Sequence, residues 1–348
     1  MNMTIEPNIF EYATSELSQD AFLCYLLSFG SSNYSKTEEY KLARSFLKEL
    51  HIEEDIEEIK RQKSHIDVLI LTQKYAVVLE DKTFSKEHSE QLKRYVEKCK
   101  NDYPNKNVKL LYFKTGYTSI QEKDELNKYE ADIGIKIDIF DVKRIVSVSK
   151  KYDGNDVIIK MWLEKIREKY NNIKNVENTN GIDKLENYTP FDNQLQQDVY
   201  LDLLTQEFKK NFKRAYWYRA GQGITPHIRL EERYIPYNSE HYEIHFGIYI
   251  MFRKEAWIIV KEHLYNEGHK YRFKLYEKEY TKYKDELDNL KHNLQQAITD
   301  DGWEKKNEDQ DKLIILKKKI INMENCIKDI KKLQEIIKNI GTPIDNPS

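Results

Sequence analysis

Hydrophobic positions along the first 170 residues change period several times, and each change marks an element. In 16–29 (ELSQDAFLCYLLSF) apolar side chains recur at Leu17, Ala21, Cys24 and Leu27, the spacing of one helix face, and Ser15 or Ser18 stands where an N-cap is needed. A second amphipathic helix fits 38–50, with Leu42, Phe46, Leu47 and Leu50 inward. The period then drops. His65–Thr72 (HIDVLILT) and Tyr75–Glu80 (YAVVLE) are apolar and β-branched, separated by Gln73 and Lys74, which predicts a tight hairpin of two buried strands. Residues 87–100 return to helical spacing through Leu92, Tyr95, Val96 and Cys99. Val108–Lys114 and Ile135–Phe140 read as two further strands, and helices fill 142–150 and 155–170. This order predicts an α/β unit, a mixed central sheet flanked by helices, over residues 1–170.

A polar, asparagine-rich stretch at 171–190 carries few apolar residues and reads as a linker to an accessory α+β region at 191–348. There Gln194–Phe212 has helical spacing, and Tyr242–Met251 alternates apolar and polar residues as a half-buried strand does. With Tyr216–Arg219 and Ile224–Leu230 it predicts a small antiparallel sheet. Tyr276, Tyr280, Tyr283, Leu287, Leu290, Leu294 and Ala297 follow a heptad rhythm, which resumes after Gly302 at Leu313, Leu316, Ile320, Met323, Ile327 and Ile330. Two heptad arms around a glycine-containing turn predict an antiparallel, coiled-coil-like helical hairpin at about 276–340. Such a hairpin could join copies of the chain or dock a partner protein.

Composition narrows the functional classes. The chain of 348 residues has no apolar run long enough to span a membrane, and its opening residues lack a basic cluster followed by an apolar core. A cytoplasmic location is therefore expected. The three cysteines are scattered, with no CxxC, and suggest a reducing compartment rather than structural zinc. Net charge is −2, so nucleic-acid binding would have to rest on a local patch. No glycine-rich phosphate cradle is present, and ATP hydrolysis is not expected.

The tripeptide acid-x-Lys recurs in a chain this charged, for example at Glu39–Lys41, Glu58–Lys60, Asp141–Lys143 and Glu207–Lys209. Glu80-Asp81-Lys82 differs from these in context: it ends a buried strand whose hairpin partner carries an acid, Asp67. Side chains alternate along a strand, so Glu80 and Lys82 share a face and Asp81 points to the other. A turn at 73–74 sets residues near 67 opposite residues near 80, and Asp67, Glu80 and Lys82 can converge. Carboxylates forced together need a cation or a proton between them, and an oxygen-only set suits Mg²⁺ or Mn²⁺.

Asp67 on one strand and Glu80-Asp81-Lys82 on the next resemble the PD-(D/E)xK nuclease superfamily, over about residues 8–145. The resemblance implies a restriction-endonuclease-like core with Asp67, Glu80 and Lys82 as catalytic residues. It also implies a metal held by Glu16, Asp67 and Glu80, since many relatives carry an acid in the first helix. Gln91 and Tyr95 match the Gln-x-x-x-Tyr pattern that exonuclease-like branches carry on the helix after the lysine. One turn apart, both can face the site, Gln91 among the catalytic groups and Tyr95 toward nucleic acid. Asp67 follows His65-Ile66 rather than proline, a departure that leaves the acid in place. The opening ELSQDAF is similar to a bacterial branch with members among phage-defence genes. The implied activity is metal-dependent hydrolysis of phosphodiesters, DNA favoured over RNA, in phage defence or DNA processing. The alternative is a catalytically silent, nuclease-like binding or assembly subunit. Lys60, Arg61 and Lys63 before the Asp67 strand could hold phosphates, although exposed basic residues there are ordinarily just solvated. Tyr216, Trp217, Tyr218 and Arg219 suit stacking on unpaired bases, yet they equally fit a packed strand.

Overall fold

A computed structural model of the chain describes residues 7–83, 90–178, 193–212, 215–220, 225–238, 242–252, 256–266, 288–298, 302–305 and 314–340. The chain divides into two units, Met1–Val176 and Glu177–Ser348.

In the first unit β1 (Ile56–Lys63), β2 (Ile66–Thr72), β3 (Tyr75–Lys82), β4 (Asn107–Lys114) and β5 (Ile137–Phe140) lie side by side in chain order. β1, β2 and β3 pair antiparallel, and β3, β4 and β5 pair parallel, so the sheet is mixed. The hairpin joining β2 to β3 turns at 73–74, with Val68 opposite Leu79. β1 was not expected. Its residues IEEIKRQK are mostly exposed, because an edge strand can present charge to water and needs no apolar alternation. It joins β2 through Ser64 and His65, whose φ angles of 57° and 69° are both left-handed, as a two-residue type I′ turn requires.

Two helical layers cover this sheet. On one side lie α1 (Glu16–Ser28), α2 (Glu38–Glu49), α5 (Val142–Ser149) and α6 (Val157–Asn178), and on the other α3 (Glu90–Asp102) and α4 (Ile120–Ile133). The first side is filled by rings: Phe22 stacks on Trp162 at 4.6 Å, Trp162 on Phe113 at 6.3 Å, and Phe46 on Phe140 at 5.7 Å. The second is aliphatic, with Leu92, Val96, Cys99 and Leu126 against Leu69, Val78 and Leu110. α4 was also missed by periodicity, since in IQEKDELNKYEADI the buried residues are limited to Glu122 and Leu126.

Sequence periodicity misplaced two further features. Ser15 caps α1 as expected, accepting from the Ser18 amide. The inward stripe, however, is Asp20, Phe22, Leu23, Leu26 and Leu27, while Leu17 is 58% exposed and Ala21 also faces out. This buried face contains an acid, which an apolar count skips. The stretch read as a linker from 171 is helical through Asn178, because Ile173 and Val176 extend the buried stripe of α6; residues 179–190 of it lie outside the described residues.

The second unit is a six-stranded antiparallel sheet, in the order β10-β11-β9-β8-β7-β6. Its strands are β6 (Ala215–Ala220), β7 (Thr225–Asn238), β8 (Tyr242–Phe252), β9 (Ala256–Asn266), β10 (Trp303–Lys305) and β11 (Ile314–Lys319). Its helices are α7 (Gln194–Asn211), α8 (288–297) and α9 (Met323–Ile340). The expected helical hairpin is thereby corrected. Ile314, Ile315 and Leu316 are buried in a strand between β9 and β10, and helix resumes only at Met323. A β-branched run fits a pleated surface better than a helix, and its heptad phase spans a strand end and a helix start. Tyr276, Tyr280, Tyr283 and Leu287 of the first arm lie outside the described residues. Trp217 is 8% exposed, and Tyr218 on the other face stacks on His227 at 5.4 Å, so both serve the sheet's packing. Among the described residues no helix is long and apolar enough to cross a membrane.

Candidate active site

The candidate site forms where β3 ends beside the start of β2. Asp67 is the second residue of β2, and Glu80, Asp81 and Lys82 are the last three of β3. Alternation along β3 divides these groups between the two helical layers.

Glu80 and Lys82 turn toward α3. Glu80 is fully buried and Lys82 is 9% exposed, and the lysine ammonium forms an ion pair with Glu80 Oε1. The same oxygen accepts from Gln91 Nε2 at 3.0 Å, and Gln91 also donates to the Tyr95 hydroxyl at 2.5 Å. Tyr95 in turn donates to the His65 carbonyl in the β1–β2 turn. Gln91 and Tyr95 therefore share one helix face, as their spacing implied, and they join α3 to both hairpins. Lys114 stands beside Lys82 in the parallel register, and Glu122 neutralises it at 3.0 Å while accepting from Tyr112 at 2.6 Å.

Asp81 turns toward α1, where more acids gather. Its side chain accepts from Gln19, and its backbone amide donates to Asp67 Oδ2 at 2.9 Å. Gln62 Nε2 lies 2.7 Å from Asp20 Oδ2 and 3.2 Å from Asp67 Oδ1, bridging the two carboxylates. Its φ of 52° is left-handed within a strand, a conformation that costs a non-glycine residue on the order of 1–3 kcal/mol. Glu16 Oε1 accepts from the Thr83 amide at 3.0 Å, tying the start of α1 to the end of β3. Gly116 lets that end sit where it does, because a Cβ there would lie 1.9 Å from the Thr83 carbonyl oxygen.

Electrostatics mark this second cluster. Burial, then the charge of Asp67, pushes the Asp20 carboxyl up from 3.8 to about 6. Burial also holds Asp81 well above the ordinary range, with Asp20, Asp67 and Glu16 adding to the shift and Gln19 opposing it. Lys169 of α6 is pulled down by burial, and the charge of Asp81 works against that. Asp20 Oδ1 and Asp81 Oδ2 are buried and accept no hydrogen bond among the described residues.

Of the residues singled out in the sequence, Glu80, Lys82, Gln91 and Tyr95 form one network. Asp67 sits between the two faces, and Glu16 reaches the strand end through Thr83. Among the described residues, no group of three or more His, Cys, Asp or Glu side chains stands with metal-holding spacing. Lys60 is engaged by Tyr103 at 3.1 Å and Glu58 at 3.0 Å, while Arg61 and Lys63 are exposed on the edge strand. Sequence reasoning missed Asp20, Gln19 and Gln62, and left Asp81 idle. A usable signal existed for Asp20, an acid in helical phase with Leu23 and Leu27.

A family model described as the PD-(D/E)XK nuclease superfamily matches residues 7–206, more than half of the chain. The match takes in every residue of both clusters and runs on into α7. No curated protein and no solved structure matches. The chain belongs to the PD-(D/E)XK nuclease superfamily.

Proposed function

We propose that the chain is a divalent-metal-dependent nuclease that hydrolyses phosphodiester bonds of DNA, with Asp67, Glu80, Lys82 and Gln91 as its catalytic groups. The observation that carries this reading is the buried Glu80–Lys82 pair, held by Gln91 at the strand end beside Asp67. A buried ion pair contributes little to stability beyond what an apolar pair would, so its placement beside an acidic cluster favours chemistry.

In chemistry, though not in spacing, the donor set suits a hard cation. It consists of carboxylate oxygens, two of them buried on Asp20 and Asp81 without a hydrogen-bond partner among the described residues. The raised carboxyls of Asp20 and Asp81 express the same shortage of positive charge. Glu16, Asp67 and Glu80 would hold Mg²⁺ or Mn²⁺ only by drawing together, since among the described residues no three such groups stand with metal-holding spacing. When bound, the cation supplies Lewis-acid polarisation of the phosphodiester. Lys82 then offers its ammonium to the charge that develops on the phosphate oxygens, or orients the attacking water. Gln91 fixes Glu80, and thereby the position of Lys82. Gln62 and the Asp81 amide fix both oxygens of Asp67.

The phage-defence or DNA-processing setting belongs to this reading and rests on the ELSQDAF opening. Incubating the full chain with single- and double-stranded DNA and RNA in Mg²⁺, Mn²⁺ or EDTA tests the activity. Cleavage of DNA with either metal and none in EDTA is the expected result. Absence of cleavage on all four substrates, or cleavage indifferent to EDTA, overturns it; binding without cleavage would make the chain a silent, nuclease-like binding subunit.

A further inference from the structure

Beside Gln91 and Tyr95 lies a cavity of about 660 Å³, open to solvent. It is lined by Ser64, His65, Gln91, Arg94, Tyr95 and Lys98. Residues 91, 94, 95 and 98 follow the spacing of one helix face, so α3 presents one amide, one phenol and two cations to the same space. The β1–β2 turn supplies the opposite wall. Both of its residues are left-handed, and the Tyr95 hydroxyl bonds the His65 carbonyl, which fixes the turn against α3.

The chemistry of the cavity is opposite to that of the neighbouring centre. Among the described residues no carboxylate lines it. Arg94 and Lys98 are exposed cations one turn apart, and the Lys98 ammonium is steadied by Asp102 at 2.9 Å, one turn further along α3. His65 and Ser64 add polar groups able to donate to an anion. The acidic centre and the basic cavity share a wall: Gln91 bonds Glu80 on one side and Tyr95 on the other. An anion in the cavity is thus adjacent to whatever is held at Glu80 and Lys82.

We infer that this cavity binds a phosphate group of the nucleic-acid strand being cut, next to the phosphodiester at the Glu80–Lys82 centre, with Arg94 and Lys98 as its cations. The inference rests on the nuclease reading and names the substrate contact of that same site. Guanidinium and ammonium groups one turn apart suit the oxygens of one phosphate, the first in a fork and the second as a point charge. The phosphate is either a monoester at a strand end or a diester of the backbone, and both present the same anionic oxygens.

The test compares the full chain with its Arg94→Ala/Lys98→Ala double variant and with Lys143→Ala, an exposed lysine on α5, as control. Binding is read by fluorescence anisotropy in EDTA, on short labelled strands with a 5′-phosphate or a 5′-hydroxyl, across a salt series. The double variant is expected to bind at least about tenfold more weakly and to flatten the salt dependence by about one unit of log–log slope. Lys143→Ala should bind as wild type does. A wild-type preference for the phosphorylated end that disappears in the double variant identifies the monoester; equal loss on both strands identifies the diester. In Mg²⁺ or Mn²⁺ the double variant should raise KM and leave kcat within about twofold, since uniform binding is lost and not transition-state contact. Unchanged binding and salt slope in a folded double variant overturn the inference, as does a wild type that binds neither strand. Wild-type binding that is lost in the double variant, with no cleavage by either protein, keeps the phosphate site and sinks the nuclease reading instead.

Discussion

The backbone amide of Asp81 donates to the carboxylate of Asp67 at 2.9 Å, so the residue between Glu80 and Lys82 positions an acid on the neighbouring strand. Its own side chain is fully buried against Gln19 and close enough to Asp20, Asp67 and Glu16 for their charges to raise its proton affinity. The raised carboxyl costs stability as pH climbs above the unfolded value of 3.8, because the folded state holds a proton that the unfolded chain has released. Asp81→Asn keeps the shape and removes that cost. In EDTA, urea melts should show the variant gaining on wild type between pH 4 and pH 8. A constant difference across that range would show that Asp81 carries no proton linkage.

Asp20 gives the same sign over a defined window. Its carboxyl is raised from 3.8 to about 6, first by burial and then by Asp67. Stability contributed by the proton is present below 3.8 and is lost as pH rises to about 6. Asp20→Asn should therefore flatten the pH dependence in EDTA and stabilise the protein above that window by about 1–3 kcal/mol. Melts at pH 4 and pH 7.5 decide the matter, and equal slopes for the two proteins would count against it.

Gln62 combines a left-handed backbone with a side chain that bridges Asp20 and Asp67. Glycine tolerates the backbone and alanine does not, so Gln62→Gly should be more stable than Gln62→Ala by about 1 kcal/mol. Both lose the bridge, and cleavage should fall about 10- to 100-fold in each, the usual effect of removing a group that orients a ligating side chain. Cleavage restored in the glycine variant would mean that the backbone, not the amide, serves the site.

What the sequence made legible followed from strong local patterns. The β2–β3 hairpin was readable because two apolar runs flank a two-residue turn, and that hairpin alone placed Asp67 near Glu80 and Lys82. Gln91 and Tyr95 were readable because helical spacing put them on one face. β1 was not, since an exposed edge strand has no apolar signature and its turn uses Ser64 and His65 rather than asparagine and glycine. The α1-side acids escaped because Asp20 interrupts an apolar stripe and because alternation made Asp81 look outward, when outward from α3 is inward toward α1. The C-terminal hairpin failed because a heptad rhythm cannot distinguish a helix from a strand that happens to precede one.

That last distinction is testable at Leu316, which is fully buried in β11 opposite Val260 of β9. Leu316→Ala removes buried carbons from a sheet interior and should cost about 2–5 kcal/mol. Lys317→Pro should be at least as harmful, since a strand between two neighbours has no place for a residue without an amide hydrogen. Thermal melts of both variants provide the comparison. A mild effect of proline at 317 would contradict pairing of β11 on both sides.

Lys82 bears most directly on mechanism, and its burial shapes the experiment. Removing it leaves Glu80 buried with its cation gone, which should cost about 3–5 kcal/mol in Lys82→Ala. Lost cleavage in that variant could then reflect lost fold. The double variant Glu80→Gln/Lys82→Met removes both charges and should recover most of the stability, because a neutral pair of similar volume replaces the ion pair. Cleavage should remain depressed by about 10²-fold or more in both, the typical effect of deleting one group that stabilises developing charge. Lys82→Arg should retain stability better than alanine does and still cleave poorly, since the guanidinium fork places its charge elsewhere. The decisive comparison pairs urea melts with initial cleavage rates for all three variants. A stable double variant that cleaves at the wild-type rate would reduce Glu80 and Lys82 to a structural pair and move the catalytic assignment to the acids facing α1.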